Sequence, residues 1–145
     1  MTAAIPADLR VGLDVVMVDD VVRSVERFGH RYLERIYTPH ELDCCHHDVL
    51  TDGTGTWSAE SLAARFAAKE AVLKVLRPVE VQPEWRSIEL HRMPGGWCEI
   101  RLSGTAEELA VAARIDGLSV SLSHEASVAA AVVVGWCAQR DRGEG

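Results

Sequence analysis

Hydrophobic and polar positions along this chain form patterns that predict several short elements around one long helix. Residues 11–16 are an apolar, partly β-branched run, which predicts a buried strand. Residues 19–29 and 30–37 have helical patterning, and residues 38–41 carry a capping-box pattern with proline at the first helical position, where a third helix is expected to begin. The longest pattern predicts a helix over residues 58–77.

The second half of the chain is dominated by strand-like alternation. Four strands are expected, at residues 86–92, 97–102, 118–125 and 126–134. The first two join as a hairpin across Pro94-Gly95-Gly96, and a second capping-box pattern predicts a helix from Thr105 to Gly117. The predicted fold class is α+β, with a small, mostly antiparallel sheet packed against one long helix. We expect a single domain over residues 1–145, with a frayed tail from about residue 139.

Composition narrows the class of protein without identifying a function. A chain of 145 residues fits one domain but is short for an enzyme site enclosed by a single chain, so oligomerisation is expected. The sequence has no run of about 20 apolar residues and no secretory leader at its start, which predicts a cytoplasmic protein without membrane association. Its cysteines lack Cys-x-x-Cys spacing and are expected to be free thiols. They are Cys44, Cys45, Cys98 and Cys137.

The long helix carries an apolar stripe and a charged cluster together. The stripe consists of Leu62, Phe66 and Leu73, and the cluster of Arg65, Lys69, Glu70 and Lys74. With a period of about 3.6 residues, the first three cluster residues lie within about a turn and the fourth lies one turn further on. Such a face can hold a cation and phosphates. The alternative is an ordinary amphipathic helix whose charges are solvated or form i,i+4 pairs.

Two strands carry polar residues that need an explanation. Asp14 interrupts an apolar run, and a buried carboxylate requires a partner, so it is a ligand or a strand-end residue that caps a turn. Gly12 beside it permits the close approach of another backbone or a ligand. His124 follows Ser123 and alternating serines at a strand end, where hydroxyl and imidazole groups suit a phosphate. The alternative is a hydrogen-bonded structural histidine.

Taken together, these segments resemble the phosphopantetheinyl transferases, in particular the short class of holo-acyl-carrier-protein synthases. The resemblance covers nearly the whole chain. The matching motifs are Gly12-Leu13-Asp14, Arg35-Ile36-Tyr37-Thr38 with Glu41-Leu42, residues 62–70 with Lys74, and Ser121-Leu122-Ser123-His124. Their order and separations make the match specific.

The resemblance implies transfer of the 4′-phosphopantetheine arm of coenzyme A to a serine hydroxyl of an apo-acyl carrier protein, with release of adenosine 3′,5′-bisphosphate. Asp14 and Glu70 match the two acidic ligands of Mg²⁺, and Glu70 or a water on the ion is the candidate base. Lys74 and His124 match phosphate-binding positions, with Ser123 beside the histidine. Arg65 and Lys69 are expected to hold further phosphate oxygens.

The resemblance also implies a homotrimer, in which Asp14 and Glu70 come from one chain and the His124 segment from its neighbour. Carrier docking is expected on a basic stripe that recurs every fourth residue, although a merely solvated face is the alternative. The stripe consists of Arg23, Arg27, Arg31 and Arg35. It is too short, and a chain of net charge −7 too acidic, to favour nucleic acid.

Some positions depart from the family pattern. Asp20 stands where an arginine is common and Met17 where a glutamate is common, which leaves the details of carrier docking open. Val16 occupies the place of a third acidic ligand of the larger transferases, as it does in the short class. The adjacent segments Cys44-Cys45 and His46-His47-Asp48 invite a zinc site, but ligands packed so closely cannot complete a tetrahedron without strain.

Two rival functions remain after this comparison. The first is a non-catalytic relative that binds carrier protein or coenzyme A, which the retained Asp14, Glu70, Lys74 and His124 disfavour. The second is an unrelated coenzyme A-dependent acyltransferase, which would need a glycine-rich turn before a helix, and none precedes the long helix. The sequence leaves open whether the carrier serves fatty-acid, polyketide or peptide synthesis, and whether acylated coenzyme A is accepted.

Overall fold

The computed structural model describes residues 8–46 and 57–137. The elements are β1 (Leu9–Met17), α1 (Val18–Phe28), α2 (His30–Ile36), α3 (Pro39–Cys45), α4 (Ala59–Leu76), a short 3₁₀ helix (Trp85–Ser87), β2 (Ile88–Arg92), β3 (Cys98–Leu102), α5 (Gly104–Ala112), β4 (Ile115–Glu125) and β5 (Val128–Cys137). The predicted tail from residue 139 lies outside the described residues, as do His47 and Asp48.

The strands form two antiparallel sheets, which confirms the predicted α+β class. One sheet has three strands in the order β1-β5-β4, and the other pairs β2 with β3. In the larger sheet Asp14 lies opposite Ala131, and Ala131 lies opposite Leu122. Helix α4 packs across β1 and β5. The long helix therefore lies against one face of the larger sheet.

Helix α4 is confirmed close to its predicted bounds. The Ser58 side chain accepts a hydrogen bond from Ser61 N at 3.2 Å and so caps the first turn. Most of the circumference of α4 is buried, because its alanine residues let neighbouring elements approach closely. Leu62 is buried as predicted, whereas Phe66 and Leu73 are only partly buried. The core side of α4 is therefore an alanine and valine surface rather than the predicted stripe of large residues.

The prediction of a buried strand at residues 11–16 is wrong for one of its two faces. Strand β1 lies at the edge of its sheet, with Gly12, Asp14 and Val16 on the side of α4. The alternate residues of β1 and the paired Trp136 form what we call the open sheet face, and they are exposed. They are Leu9 at 48%, Val11 at 62%, Leu13 at 58%, Val15 at 58%, Met17 at 44% and Trp136 at 36%.

The two predicted capping boxes have different outcomes. At α3, Glu41 N donates to Thr38 Oγ1 at 3.2 Å and Thr38 N donates to Glu41 Oε1 at 2.9 Å, which confirms the first. The second is wrong, because Thr105 Oγ1 instead accepts from Glu84 N at 3.0 Å and α5 begins one residue earlier. Helix α5 also ends at Ala112 rather than near residue 117, since β4 begins at residue 115.

The remaining predictions differ from the structure only in detail. Residues 85–87 form a 3₁₀ helix, so the hairpin strand begins at Ile88 rather than at residue 86. The four cysteines are free thiols, as predicted. Among the described residues, no helix is long and apolar enough to cross a membrane.

Candidate active site

Asp14, Glu70 and Lys74 form a charged cluster where α4 crosses β1. Lys74 Nζ donates to the Leu13 carbonyl at 2.6 Å and lies 3.2 Å from Asp14 Oδ1. The Asp14 side chain is 18% exposed and that of Lys74 is 51% exposed. The carboxylate is therefore held in a partly buried position, while the ammonium group keeps access to solvent.

Gly12 explains how the helix comes so close to the strand. A Cβ atom on this residue would lie 2.0 Å from the carbonyl oxygen of Ala71, a distance that real Cβ atoms do not reach. The expected close approach of a backbone at Gly12 is thus made by α4, at the residue after Glu70. Any side chain here would push α4 away from β1.

Glu70 completes the cluster beside Asp14. Burial and then the negative charge of Asp14 raise the pKa of the Glu70 carboxyl above its ordinary value, whereas Lys74 lowers it. Two carboxylates with one lysine leave an excess of negative charge, which a divalent cation would offset. Carboxylate oxygens are hard ligands of the kind that Mg²⁺ prefers, so this pair fits a magnesium ion.

Two carboxylates do not fill the coordination shell of such an ion. Within residues 8–46 and 57–137, no group of three or more histidine, cysteine or acidic side chains is arranged to hold a metal. Magnesium commonly keeps waters and binds substrate phosphates in addition to one or two carboxylates. The arrangement therefore suits a metal shared with a phosphorylated substrate better than a permanent structural ion.

The structure contradicts the expectation that Lys69 binds phosphate. Its side chain is fully buried, and Nζ donates to Glu41 Oε1 at 2.7 Å, to Trp85 O at 3.0 Å and to Ile88 O at 2.5 Å. An ammonium group has three donors, so none is left for a ligand. Burial lowers the pKa of Lys69, and the charge of Glu41 opposes that shift.

Arg65 lies on the same side of α4 as Lys69, one turn earlier. It is 6% exposed, and its Nη1 donates to Ser61 O at 3.3 Å. This position does not support the expected contact with phosphate from the solvent side. The predicted cluster on α4 thus divides into Glu70 and Lys74, which face β1, and Arg65 and Lys69, which face the interior.

Ser123 and His124 are exposed near the end of β4, away from the acidic pair. They line an open groove of about 450 Å³ together with the hairpin residues that follow. With a strand spacing of about 4.8 Å and a rise of about 3.4 Å per residue, the Cα atoms of Asp14 and His124 lie about 12 Å apart. The fold of this chain therefore does not bring His124 together with Asp14 and Glu70.

All four arginines of the predicted basic stripe are exposed, but they are not equivalent. Arg23 forms an ion pair with Asp20 at 2.5 Å, which neutralises it locally. The Arg27 guanidinium lies 5.1 Å from the centroid of the Phe28 ring. Arg31 and Arg35, in contrast, border an apolar groove.

We call this feature the aromatic groove and define it by Phe28, Tyr32, Phe66 and Trp85 with Arg31 and Arg35. Its volume is about 460 Å³. The Phe66 and Trp85 rings lie 5.3 Å apart between centroids. Sequence reasoning missed this groove because its walls come from three separate segments, and the partial exposure of Phe66 on α4 is decided only by packing.

Comparison with known proteins decides the family. The sequence profile of the 4′-phosphopantetheinyl transferase superfamily matches residues 10–133. The chain belongs to this superfamily. The match includes the strand with Asp14, the helix with Glu70 and Lys74, and the segment with His124.

Relatives within the superfamily place the chain more closely. It is 40% identical over 129 residues to the holo-acyl-carrier-protein synthase of Desulforudis audaxviator, which covers 88% of this chain and 93% of the relative. It is also 40% identical over 126 residues to the synthase of Dehalococcoides mccartyi, with 87% and 97% covered. The resemblance to the holo-acyl-carrier-protein synthase class of phosphopantetheinyl transferases is thus confirmed.

Solved structures of this class share the fold. The Helicobacter pylori holo-acyl-carrier-protein synthase, crystallised in complex with coenzyme A, superposes with a TM-score of 0.70 at 32% identity. The comparison covers 86% of this chain and 98% of that one. The synthase of Mycobacterium tuberculosis superposes with a TM-score of 0.65 at 30% identity, with 89% and 97% covered.

Proposed function

We propose that this phosphopantetheinyl transferase moves the 4′-phosphopantetheine arm of coenzyme A to a serine of an apo-acyl carrier protein in a magnesium-dependent reaction. The observation that carries the proposal is the arrangement of Asp14, Glu70 and Lys74 at the crossing of β1 and α4. This charged cluster would stabilise the charge on a pyrophosphate. The chain needs no nucleophile of its own, because the carrier supplies the serine hydroxyl.

In the proposed reaction the serine oxygen attacks the phosphorus atom that bears the pantetheine arm. The bond from that phosphorus to the bridging oxygen breaks, and the electron pair leaves with adenosine 3′,5′-bisphosphate. Glu70, directly or through a water, accepts the serine proton as a general base. Lys74 would stabilise the charge that develops on the pyrophosphate oxygens.

Asp14 and Glu70 would hold the magnesium ion. When bound, the ion would supply positive charge that offsets the charge growing on the leaving group. The two carboxylates come from different elements, and their proximity depends on the contact between Gly12 and Ala71. The close crossing of β1 and α4 would therefore orient the ligands before substrate arrives, which lowers the cost of reaching the reactive geometry.

We further propose a homotrimer in which Ser123 and His124 of one subunit complete the site of the next. The open sheet face supports this, since exposed apolar patches of that kind mark protein interfaces. The separation of His124 from Asp14 within one protomer supports it as well. Sedimentation of the full chain tests the proposal, and a stable monomer with full activity would contradict it.

The aromatic groove, with Arg27, is the proposed site for the carrier. Carrier proteins of this kind are usually acidic, so the exposed guanidinium groups of Arg31 and Arg35 would attract them while the aromatic wall receives an apolar side chain. Arg23 is expected to contribute less, because Asp20 already pairs with it. The negative net charge of the chain does not oppose docking, because at short range the local distribution of charges determines the electrostatic attraction.

The mass of the carrier after reaction tests the proposed function. Incubation with coenzyme A, Mg²⁺ and an apo-carrier should add one phosphopantetheine arm, and a carrier whose accepting serine is replaced by alanine should gain nothing. A gain of an acyl group alone would support an acyltransferase, and no gain with any carrier would support a non-catalytic relative. A panel of carriers from fatty-acid, polyketide and peptide synthesis would identify the partner.

A further inference from the structure

A buried ion pair joins Lys69 of α4 to Glu41 of α3. Both side chains are fully buried, and the ammonium and carboxylate groups lie 2.7 Å apart. The remaining donors of Lys69 go to the carbonyls of Trp85 and Ile88, as described above. The lysine thus binds α4 to the segment that precedes and begins β2.

Glu41 uses both carboxylate oxygens in the same network. Oε1 accepts from Thr38 N at 2.9 Å in the capping box of α3, and Oε2 accepts from Leu90 N at 3.1 Å. Four backbone groups, one at the start of α3 and three in residues 85–90, are therefore tied to one pair of side chains. A buried pair of this kind is weak evidence for stability, because apolar residues of similar size often replace it without loss. The role of this ion pair is better explained by the orientation that it gives to α4.

The ion pair affects the direction of the next side chain on α4, that of Glu70. Consecutive side chains on a helix point about 100° apart, so the direction of Lys69 determines the direction of Glu70. Lys69 anchors α4 on the side of β2, and Gly12 admits its backbone against β1 on the other side. Together these contacts set both the rotation and the depth of α4 where Glu70 meets Asp14.

We propose that Lys69, through its pairing with Glu41, is a positioning residue that holds Glu70 in the orientation for metal binding. The inference depends on the proposed function, because it takes Asp14 and Glu70 as the ligands. It replaces the expected phosphate contact of Lys69 with an indirect role. Neither Lys69 nor Glu41 touches the substrate.

The test measures binding of Mn²⁺, as a probe for Mg²⁺, to the full-length protein by the electron paramagnetic resonance signal of the free ion. Lys69→Met keeps the aliphatic stem and removes the donors. Val72→Ala, at another fully buried position of α4, is the control that lowers stability without altering the polar network. Both are measured with coenzyme A present, at a temperature where thermal unfolding curves show them folded.

We expect Lys69→Met to raise the dissociation constant for Mn²⁺ by about tenfold or more, as changes to residues that orient metal ligands do. Val72→Ala should stay within about twofold of the unsubstituted protein. The Mg²⁺ concentration for half-maximal transfer should likewise rise in Lys69→Met and change little in Val72→Ala. Equal binding of Mn²⁺ by both variants and the unsubstituted protein would overturn the proposal.

The double variant Glu41→Gln/Lys69→Met keeps the test decisive if Lys69→Met does not fold. It removes both charges, and glutamine can still complete the capping box. We expect it to fold and to bind Mn²⁺ as weakly as Lys69→Met would, whereas normal binding would overturn the proposal. If the unsubstituted protein and Asp14→Ala bind Mn²⁺ equally, the proposed metal site itself fails, and this outcome is distinct from the other two.

Discussion

The ammonium group of Lys74 lies 3.2 Å from Asp14 Oδ1, although the two residues are 60 positions apart in the chain. This contact places a cation beside one of two carboxylates and leaves Glu70 as the less compensated acid. Because Lys74 also bonds the Leu13 carbonyl, its ammonium group is anchored on β1. The resulting mixture of charges suits a substrate that brings both phosphate and a metal ion.

Asp14→Ala and Glu70→Gln should each abolish magnesium-dependent transfer while the fold persists. Each removes one hard ligand, and kcat/KM should fall on the order of 10²-fold or more. Steady-state assays at saturating Mg²⁺ and circular dichroism provide the measurements. Glu60→Gln is the matched control, because Glu60 is exposed in the first turn of the same helix. Full activity of either site variant would refute its assignment as a ligand.

The raised pKa of Glu70 also predicts that the stability of the fold depends on pH. Its pKa in the folded state lies above the ordinary value of 4.5, so the folded protein holds this proton more tightly than the unfolded chain does. The stabilisation is present at a pH below the ordinary value and is lost as pH rises through the raised pKa. Without metal, Glu70→Gln should therefore melt at a higher temperature than the unsubstituted protein at neutral pH.

This difference in melting temperature should vanish in acid, where both side chains are neutral. Melting curves from pH 4 to pH 8 in the presence of a chelator measure it. Addition of Mg²⁺ should stabilise only the unsubstituted protein, because the bound cation favours the ionised carboxylate. A variant that is less stable at neutral pH without metal would contradict the assigned environment of Glu70.

Arg31→Glu should raise the KM for carrier severalfold to about tenfold and leave the KM for coenzyme A nearly unchanged. The effect should weaken as salt is added, because the docking charges are exposed. Arg101→Glu, at an exposed position of β3 outside the aromatic groove, is the matched control. An equal rise of both constants would show that Arg31 does not act through docking.

Gly12→Ala should disturb the site without changing any charge. Its new Cβ would meet the Ala71 carbonyl, so α4 and β1 must separate, at a cost of about 1–3 kcal/mol in the free energy of unfolding. Transfer should fall because Asp14 and Glu70 move apart. Urea unfolding and the transfer assay measure the two effects, and unchanged values of both would show that the crossing tolerates a side chain.

Local patterns of sequence predicted the elements because short-range physics decides them. The capping box at Thr38 and the length of α4 follow from residues close together in the chain. The resemblance of ordered motifs was enough to predict the class of enzyme. The same logic failed at Thr105, because its hydroxyl found a partner at Glu84, 21 residues away, which local patterns do not reveal.

The sequence by itself predicted candidate residues for binding metal and phosphate, and it placed Arg65, Lys69, Glu70 and Lys74 on one helix. Only the tertiary structure decided which of them face solvent. Glu41 captures Lys69 in the interior, while Gly12 brings Glu70 and Lys74 to Asp14. The physical reason is that a helix distributes its charges around its full circumference. Whether each charge becomes a ligand or a buried anchor depends on the elements that pack against that side.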